Sequence, residues 1–213
     1  MDNDCRQDSP AIISFDGLEV KDAGLPSRCK QPADVEQYEL FKNSTRMIAE
    51  RLLSRVTFVE SRERRCLRGN LLAALGHVRT RFVNIMHHDL PIVKPIATHD
   101  ILQLLGFSEW SLPSPVFLVN YVVGSNADQR RRLQHICMPD NTLNNLVFYG
   151  TTTISPSLSY SDTNHFSTLR FYTDTVMPSS EGFDFMEWAC QCKPATSPSL
   201  WGAYYLGDVK DGH

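Results

Sequence analysis

The sequence predicts an α+β fold: one globular domain over residues 46–213, its helices packed on a mostly antiparallel β-sheet, behind a flexible acidic N-terminal arm of residues 1–45. Three observations carry this expectation. Helical apolar spacing clusters in the first half of the chain, whereas alternating or continuous β-branched and aromatic runs fill the second. Residues 1–34 combine Pro10, Gly17, Gly24, Pro26 and Pro32 with little hydrophobic periodicity, as a mobile leader does. At 213 residues, 42% hydrophobic and 21% charged, the chain can bury one sizeable core and is too apolar for general disorder.

Within the arm, Ala11–Phe15 (AIISF) reads as a short extended piece. A first helix is expected over Asp34–Arg46, with Asp34 as N-cap and Glu36 in the first turn. Arg55–Glu60 alternates and is β-branched, so it predicts a strand. A helix over Leu67–Phe82 follows, because Leu67, Leu71, Leu72, Leu75 and Val78 recur at helical spacing and leave Arg68 and Arg79 on the opposite face. Pro91 and Pro95 mark a turn into a second helix, Thr98–Phe107, capped by Thr98 and expected to stop near Gly106. Val116–Val123 is a continuous apolar run and predicts a buried strand. Arg130–Cys137 suits a short helix or a connecting strand, and Leu143–Tyr149, Thr151–Tyr160 and Thr168–Asp174 predict three further strands. Glu181–Cys190 is amphipathic, and Leu200–Leu206 closes the chain as an aromatic strand.

Charge is distributed unevenly. The net charge of −3 conceals a block, residues 46–81, in which nine arginines face only Glu50, Glu60 and Glu63. Guanidinium groups suit bidentate pairing with phosphate or carboxylate and stay charged in any surroundings. Arg62, Arg64, Arg65, Arg68, Arg79 and Arg81 are therefore the candidates for contact with an anionic partner, such as a phosphate backbone, a lipid headgroup or another subunit's acidic arm; the alternative is a solvated face whose arginines pair locally. Trp110, Leu112, Val116 and Phe117, around a proline-rich connector, are the candidates for apolar contact with a membrane or a neighbouring subunit, or else they tuck onto the core.

Several function classes find little support. No stretch approaches the run of about 20 apolar residues that spans a bilayer, and the acidic start MDNDCRQDSP is unlike a secretory signal. The six cysteines are widely spread, with one isolated C-x-C at Cys190 and Cys192, so reduced structural thiols are expected. His87-His88-Asp89 and His99-Asp100 offer metal-ligating types at a spacing that matches no standard site. Glycine-rich phosphate cradles and a Gly-x-Ser-x-Gly elbow are both missing. The expectation is a non-enzymatic protein without cofactor, metal or catalytic residues.

The order of elements resembles the matrix proteins of animal rhabdoviruses: an arm, a strand at Arg55–Glu60, a helix in CLRGNLLAALGHV and a shorter one in THDILQLLGF. Phe148-Tyr-Gly-Thr-Thr-Thr-Ile-Ser-Pro-Ser-Leu-Ser-Tyr-Ser-Asp is similar to the family's aromatic-glycine strand entry, and Trp188-Ala-Cys followed by Leu200-Trp-Gly-Ala-Tyr-Tyr-Leu to its closing segment. The resemblance implies a peripheral virion protein of the host cytoplasm and inner membrane face. Such a protein self-associates, condenses the viral nucleoprotein–RNA complex and links it to the envelope, with viral glycoprotein and host factors as further partners. The chain departs from the family in its acidic arm, which lacks P-P-x-Y and P-[ST]-A-P motifs, so Arg46–Arg81 must supply the electrostatic contact. Two rival readings stand beside it. His165–Cys190 and the stretch from Cys137 to Gly150 resemble parts of a CUB-like extracellular binding module, which implies paired cysteines. His87, His88 and Asp89 would serve a metal-dependent hydrolase.

Overall fold

A computed structural model describes residues 9–18, 32–87, 96–111, 116, 118–120, 147–149, 152–156, 160, 163–183, 186 and 203–206. Helix and strand are mixed, and the chain divides into two compact units, Met1–Val78 and Arg79–His213.

In the first unit, strand β1 (Ala11–Phe15) pairs with β2 (Val56–Glu60) in parallel, Ala11 beside Val56 and Phe15 beside Glu60. Parallel neighbours cannot be joined by a hairpin; the crossover here is helix α1 (Pro32–Leu52). Phe15 is buried between the ring of Phe58, stacked at 6.3 Å, and the edge of Phe41, also at 6.3 Å. Helix α2 (Cys66–Leu75) packs on β1, where the Ser14 hydroxyl donates to Asn70 Oδ1 at 2.7 Å.

Several expectations change here. The anticipated arm boundary at residue 45 falls inside α1, and the extended piece at Ala11–Phe15 is a paired strand. The reason is mutual burial: β1 alone has no ladder, and only the return of the chain at Val56 supplies one. Helix α2 ends at Leu75, with Gly76 as its cap, well before Phe82. Of its expected apolar stripe, Leu75 is buried while Leu72 is half exposed.

Among the described residues of the second unit, six strands line up in the order β3-β7-β4-β8-β6-β5. They are β3 (Phe82–Ile85), β4 (Leu118–Asn120), β5 (Val147–Tyr149), β6 (Thr152–Pro156), β7 (His165–Thr168) and β8 (Ala203–Leu206). The β4–β8 pair is parallel and the other four pairs are antiparallel. Helix α3 (Thr98–Ser111) supplies Ile101, Leu104 and Leu105 to a core completed by Val116, Val119, Ile154 and Phe166. The Thr152 hydroxyl donates to Asp100 Oδ2 at 3.0 Å and so fixes the first turn of α3 to β6.

Here too the local signals are partly overruled. Helix α3 runs past Gly106 to Ser111, since glycine inside a helix costs only about 1 kcal/mol, which a buried face easily outweighs. The expected strand Thr168–Asp174 is helical: a turn α4 (Leu169–Phe171), a π-helical turn (Tyr172–Val176) and a turn α5 (Met177–Ser179). Thr168 starts it, its hydroxyl accepting from Phe171 N–H at 3.1 Å. Phe171, Tyr172, Val176 and Met177 then share the buried side, while Arg170 and Asp174 pair outside at 3.1 Å. Pro178 lacks the N–H that would continue a regular ladder, and the wider turn lies just before it. Strand β3 begins where the sequence suggested a helix end. The expectations for Arg130–Cys137 and most of Glu181–Cys190 lie outside the described residues.

One glycine in the first unit is sterically required. A Cβ on Gly17 would lie 2.3 Å from both the carbonyl carbon and oxygen of Glu63, which are backbone atoms and cannot rotate away. Gly17→Ala is expected to cost about 1–3 kcal/mol, read as a lower urea midpoint.

Candidate functional site

The arginine-bearing loop, residues 61–65, leaves β2 and enters α2. Its backbone is held at both ends: Ser61 N–H donates to Phe15 O at 3.1 Å, and Arg65 N–H donates to Asp16 Oδ1 at 2.7 Å. The same carboxylate oxygen accepts from Gly17 N–H at 2.9 Å, and the Tyr38 phenol donates to Asp16 O at 2.8 Å. Burial pushes the Tyr38 phenol up, so it stays a donor at neutral pH. Gly17 lies directly against the Glu63 backbone, and Cys66 takes a positive φ of 54° as the chain turns into α2. The result is a fixed backbone with outward side chains: Arg62, Glu63, Arg64 and Arg65 are all exposed.

The six candidate arginines do not form one described surface. Arg62, Arg64, Arg65 and the half-buried Arg68 belong to the first unit; Arg79 and Arg81 belong to the second. The Arg81 guanidinium lies over the Phe82 ring at 5.1 Å and donates to Gly106 O at 3.4 Å. Arg46, at the start of the arginine block, pairs with Glu60 and covers the Phe15 ring at 5.5 Å. Lys42 also holds Glu60, at 3.2 Å. Part of the positive block is therefore structural; Arg62, Arg64 and Arg65 are exposed side by side on the loop, and Arg51, Arg55, Arg79 and Arg81 are exposed as well.

The apolar candidates separate as well. Val116 is fully buried in the α3 core, which removes it from any membrane or subunit contact. Trp110 lies in the last turn of α3, and Leu112 and Phe117 are outside the described residues.

No group of three His, Cys, Asp or Glu side chains suited to a metal occurs among the described residues. His87 donates its backbone N–H to Asn164 Oδ1 at 2.6 Å, His99 contacts Gln103 at 2.8 Å, and His88 and Asp89 are outside the described residues. The pair Cys137 and Cys190 is outside them too, and Cys66 is a free thiol.

Sequence reasoning missed a buried polar network in the second unit. Tyr160, His165, Tyr172 and Met186 are all buried, with His165 and Tyr172 fully so. The Thr163 carbonyl can only accept, so His165 Nδ1 carries the proton and its Nε2 accepts from the Tyr172 hydroxyl. Tyr172 in turn accepts from Tyr160 at 3.1 Å, and Met186 Sδ lies 3.8 Å from the Tyr160 oxygen. The rings of His165 and Tyr172 stack at 5.8 Å, with Tyr160 edge-on to both. The network runs in one direction from phenol to phenol to neutral imidazole to carbonyl. Tyr172 opens the π-helical turn, so the wider turn carries one partner of the chain of hydrogen bonds. With Tyr160, His165, Tyr172 and Met186 buried, the network ties β7 to the helical run.

No protein-family model, curated protein or solved structure matches this chain.

Burial, opposed by the hydrogen bond to Thr163 and aided by the nearby His87, lowers the His165 pKa from 6.5 to about 4. The unfolded chain takes up this proton near pH 6.5 and the folded chain withholds it until about pH 4. Stability is therefore complete above pH 6.5 and falls through that window, by about 3 kcal/mol in all. Urea midpoints measured against pH should show a steeper acid loss for the natural chain than for His165→Gln, which does not titrate there.

Proposed function

We propose that this chain is a non-catalytic assembly protein that meets an anionic surface through the loop carrying Arg62, Arg64 and Arg65. The observation that carries the reading is the combination of a fixed loop backbone with exposed guanidinium groups. Asp16 and Gly17 hold the loop in place, so binding would not have to order it. The net charge of the whole chain is −3, so attraction to an anion must come from such a local patch. No helix among the described residues is long and apolar enough to cross a membrane, which leaves peripheral contact as the mode proposed.

The role that the resemblance to rhabdovirus matrix proteins implies agrees with this chemistry. In that role the protein self-associates, condenses the nucleoprotein–RNA complex and links it to the inner face of the envelope. Arg68 would add to the contact of the loop, and Arg79 and Arg81 are proposed as anion contacts of the second unit in their own right. The α+β class belongs to the same proposal, supported by the four antiparallel pairings of the larger sheet. The CUB-like and hydrolase readings gain no specific observation from the described residues.

Arg62→Glu, Arg64→Glu and Arg65→Glu in one chain should abolish flotation with phosphatidylserine vesicles and pelleting with RNA at low salt. The natural chain should lose both as salt rises from about 50 to 200 mM. Binding that ignores both the salt and the three substitutions would defeat the proposal.

A further inference from the structure

Helix α1 is mounted on its sheet by its polar side. Tyr38, Lys42, Arg46 and Ala49 recur on one face. Tyr38 holds the Asp16 carbonyl, Lys42 and Arg46 hold Glu60, and Ala49 is only 5% exposed. Lys42 keeps 11% of its side-chain exposure and Arg46 keeps 25%, low values for such side chains. The other face carries Leu40, Met47, Ile48 and Leu52, exposed by 60%, 67%, 55% and 70%. Ser44, also exposed, sits among them one helical turn from Leu40 and from Ile48. An ordinary surface helix has the reverse arrangement, with its apolar stripe inward.

We propose that this face binds a second copy of the same chain, the two α1 helices running antiparallel about a two-fold axis beside Ser44. In that arrangement Leu40 of one copy meets Ile48 of the other, and Met47 lies beside the exposed part of the Phe41 ring, whose edge packs on Phe15. The small side chain of Ser44 meets its own counterpart and lets the helices come close. Charge complementarity selects this occupant. The helix is acidic at its start, with Asp34, Glu36 and Glu39, and basic in its last turn, with Arg51. Antiparallel pairing sets Glu36 beside Arg51 of the second copy, twice by symmetry, and opposes the helix dipoles favourably. Parallel pairing would set acid on acid. The border of the face carries Glu36, Glu39 and Glu50, which disfavours an anionic bilayer as the occupant. With a handful of large apolar side chains from each copy, the contact is small and the dimer should be weak and concentration-dependent.

The proposal rests on the self-association part of the function given above, but it uses none of the loop arginines. Sedimentation of the full chain should show a reversible monomer–dimer equilibrium. Ile48→Glu should raise the dissociation constant by roughly 100-fold or more, since it desolvates a carboxylate twice per dimer. Glu36→Arg and Arg51→Glu should each weaken the dimer, and the two combined should restore it. Ser44→Cys should form a disulfide-linked dimer through residue 44 under mild oxidation far faster than Glu50→Cys, with the linkage located by peptide mass. Loss of dimer in Ile48→Glu with retained, salt-sensitive RNA pelleting supports this surface; loss of RNA pelleting in the arginine variant with the dimer intact touches only the earlier proposal. The inference is overturned by a monomer at all concentrations, or by a dimer that Ile48→Glu leaves intact. It is equally overturned if Ile48→Glu abolishes vesicle binding at unchanged mass, which assigns the face to a membrane. Destabilisation at unchanged mass would assign it to a segment of the same chain.

Discussion

Two parallel strands cannot be closed by a tight turn, and that constraint organises the first unit. Once Ala11–Phe15 and Val56–Glu60 pair in parallel, the chain between them must cross over, and α1 is what crosses. The pairing places Phe15 beside Glu60 at the end of the ladder, so the residues that follow each strand meet: Asp16 and Gly17 on one side, residues 61–65 on the other. The outward arginines and the inward polar face of α1 both follow. Glu60, at the strand end, draws Lys42 and Arg46 of α1 toward the sheet, and this rotates the apolar residues of the helix away from it.

Such a mounting is possible because lysine and arginine carry long apolar stems. Lys42 lies over the Tyr38 ring at 5.4 Å and Arg46 over Phe15, so each covers aromatic surface while its charge reaches Glu60. Substituting leucine at either position would add apolar contact but remove one of the two counter-charges of Glu60. The unit accepts modest hydrophobic burial under the helix and retains an accessible apolar face on top of it. A helix arranged this way serves contact with something else better than it serves its own domain.

The second unit solves a different problem. Strand β7 lies between β3 and β4 and carries His165 and Ser167 among its fully buried residues. Buried polar groups are tolerable only when paired. His165 is paired through Thr163 on one nitrogen and Tyr172 on the other, and the Tyr160 hydroxyl completes the chain of donors. The neutral imidazole is a consequence of burial, which disfavours the charged ring. Acid sensitivity is thus built into the packing of β7 against the helical run that follows it.

The elements read most directly from the sequence were those with strong periodicity and an internal partner. Val56–Glu60, the start of α3 and its core residues Ile101, Leu104 and Leu105 all announced themselves by pattern. So did the exposed arginine loop, because guanidinium groups in such density are hard to bury. Other features were invisible because their cause lies far away in the chain. Ala11–Phe15 became a strand through Val56, and Asp16 and Gly17 acquired their roles from Arg65 and Glu63. Thr168–Asp174 alternates like a strand, yet the Thr168 cap and the burial of Tyr172 beside His165 made it helical. Val116 was open to two readings, the start of a buried strand or a surface contact, and the α3 core decides for burial. By itself the sequence determined which segments could be helix or strand and where positive charge collects, since propensity and charge are properties of the residues. Only the tertiary structure decided that the loop at 62–65 presents its arginines on a fixed backbone and that α1 turns its apolar face outward. Both depend on which distant residue supplies the hydrogen bond or counter-charge.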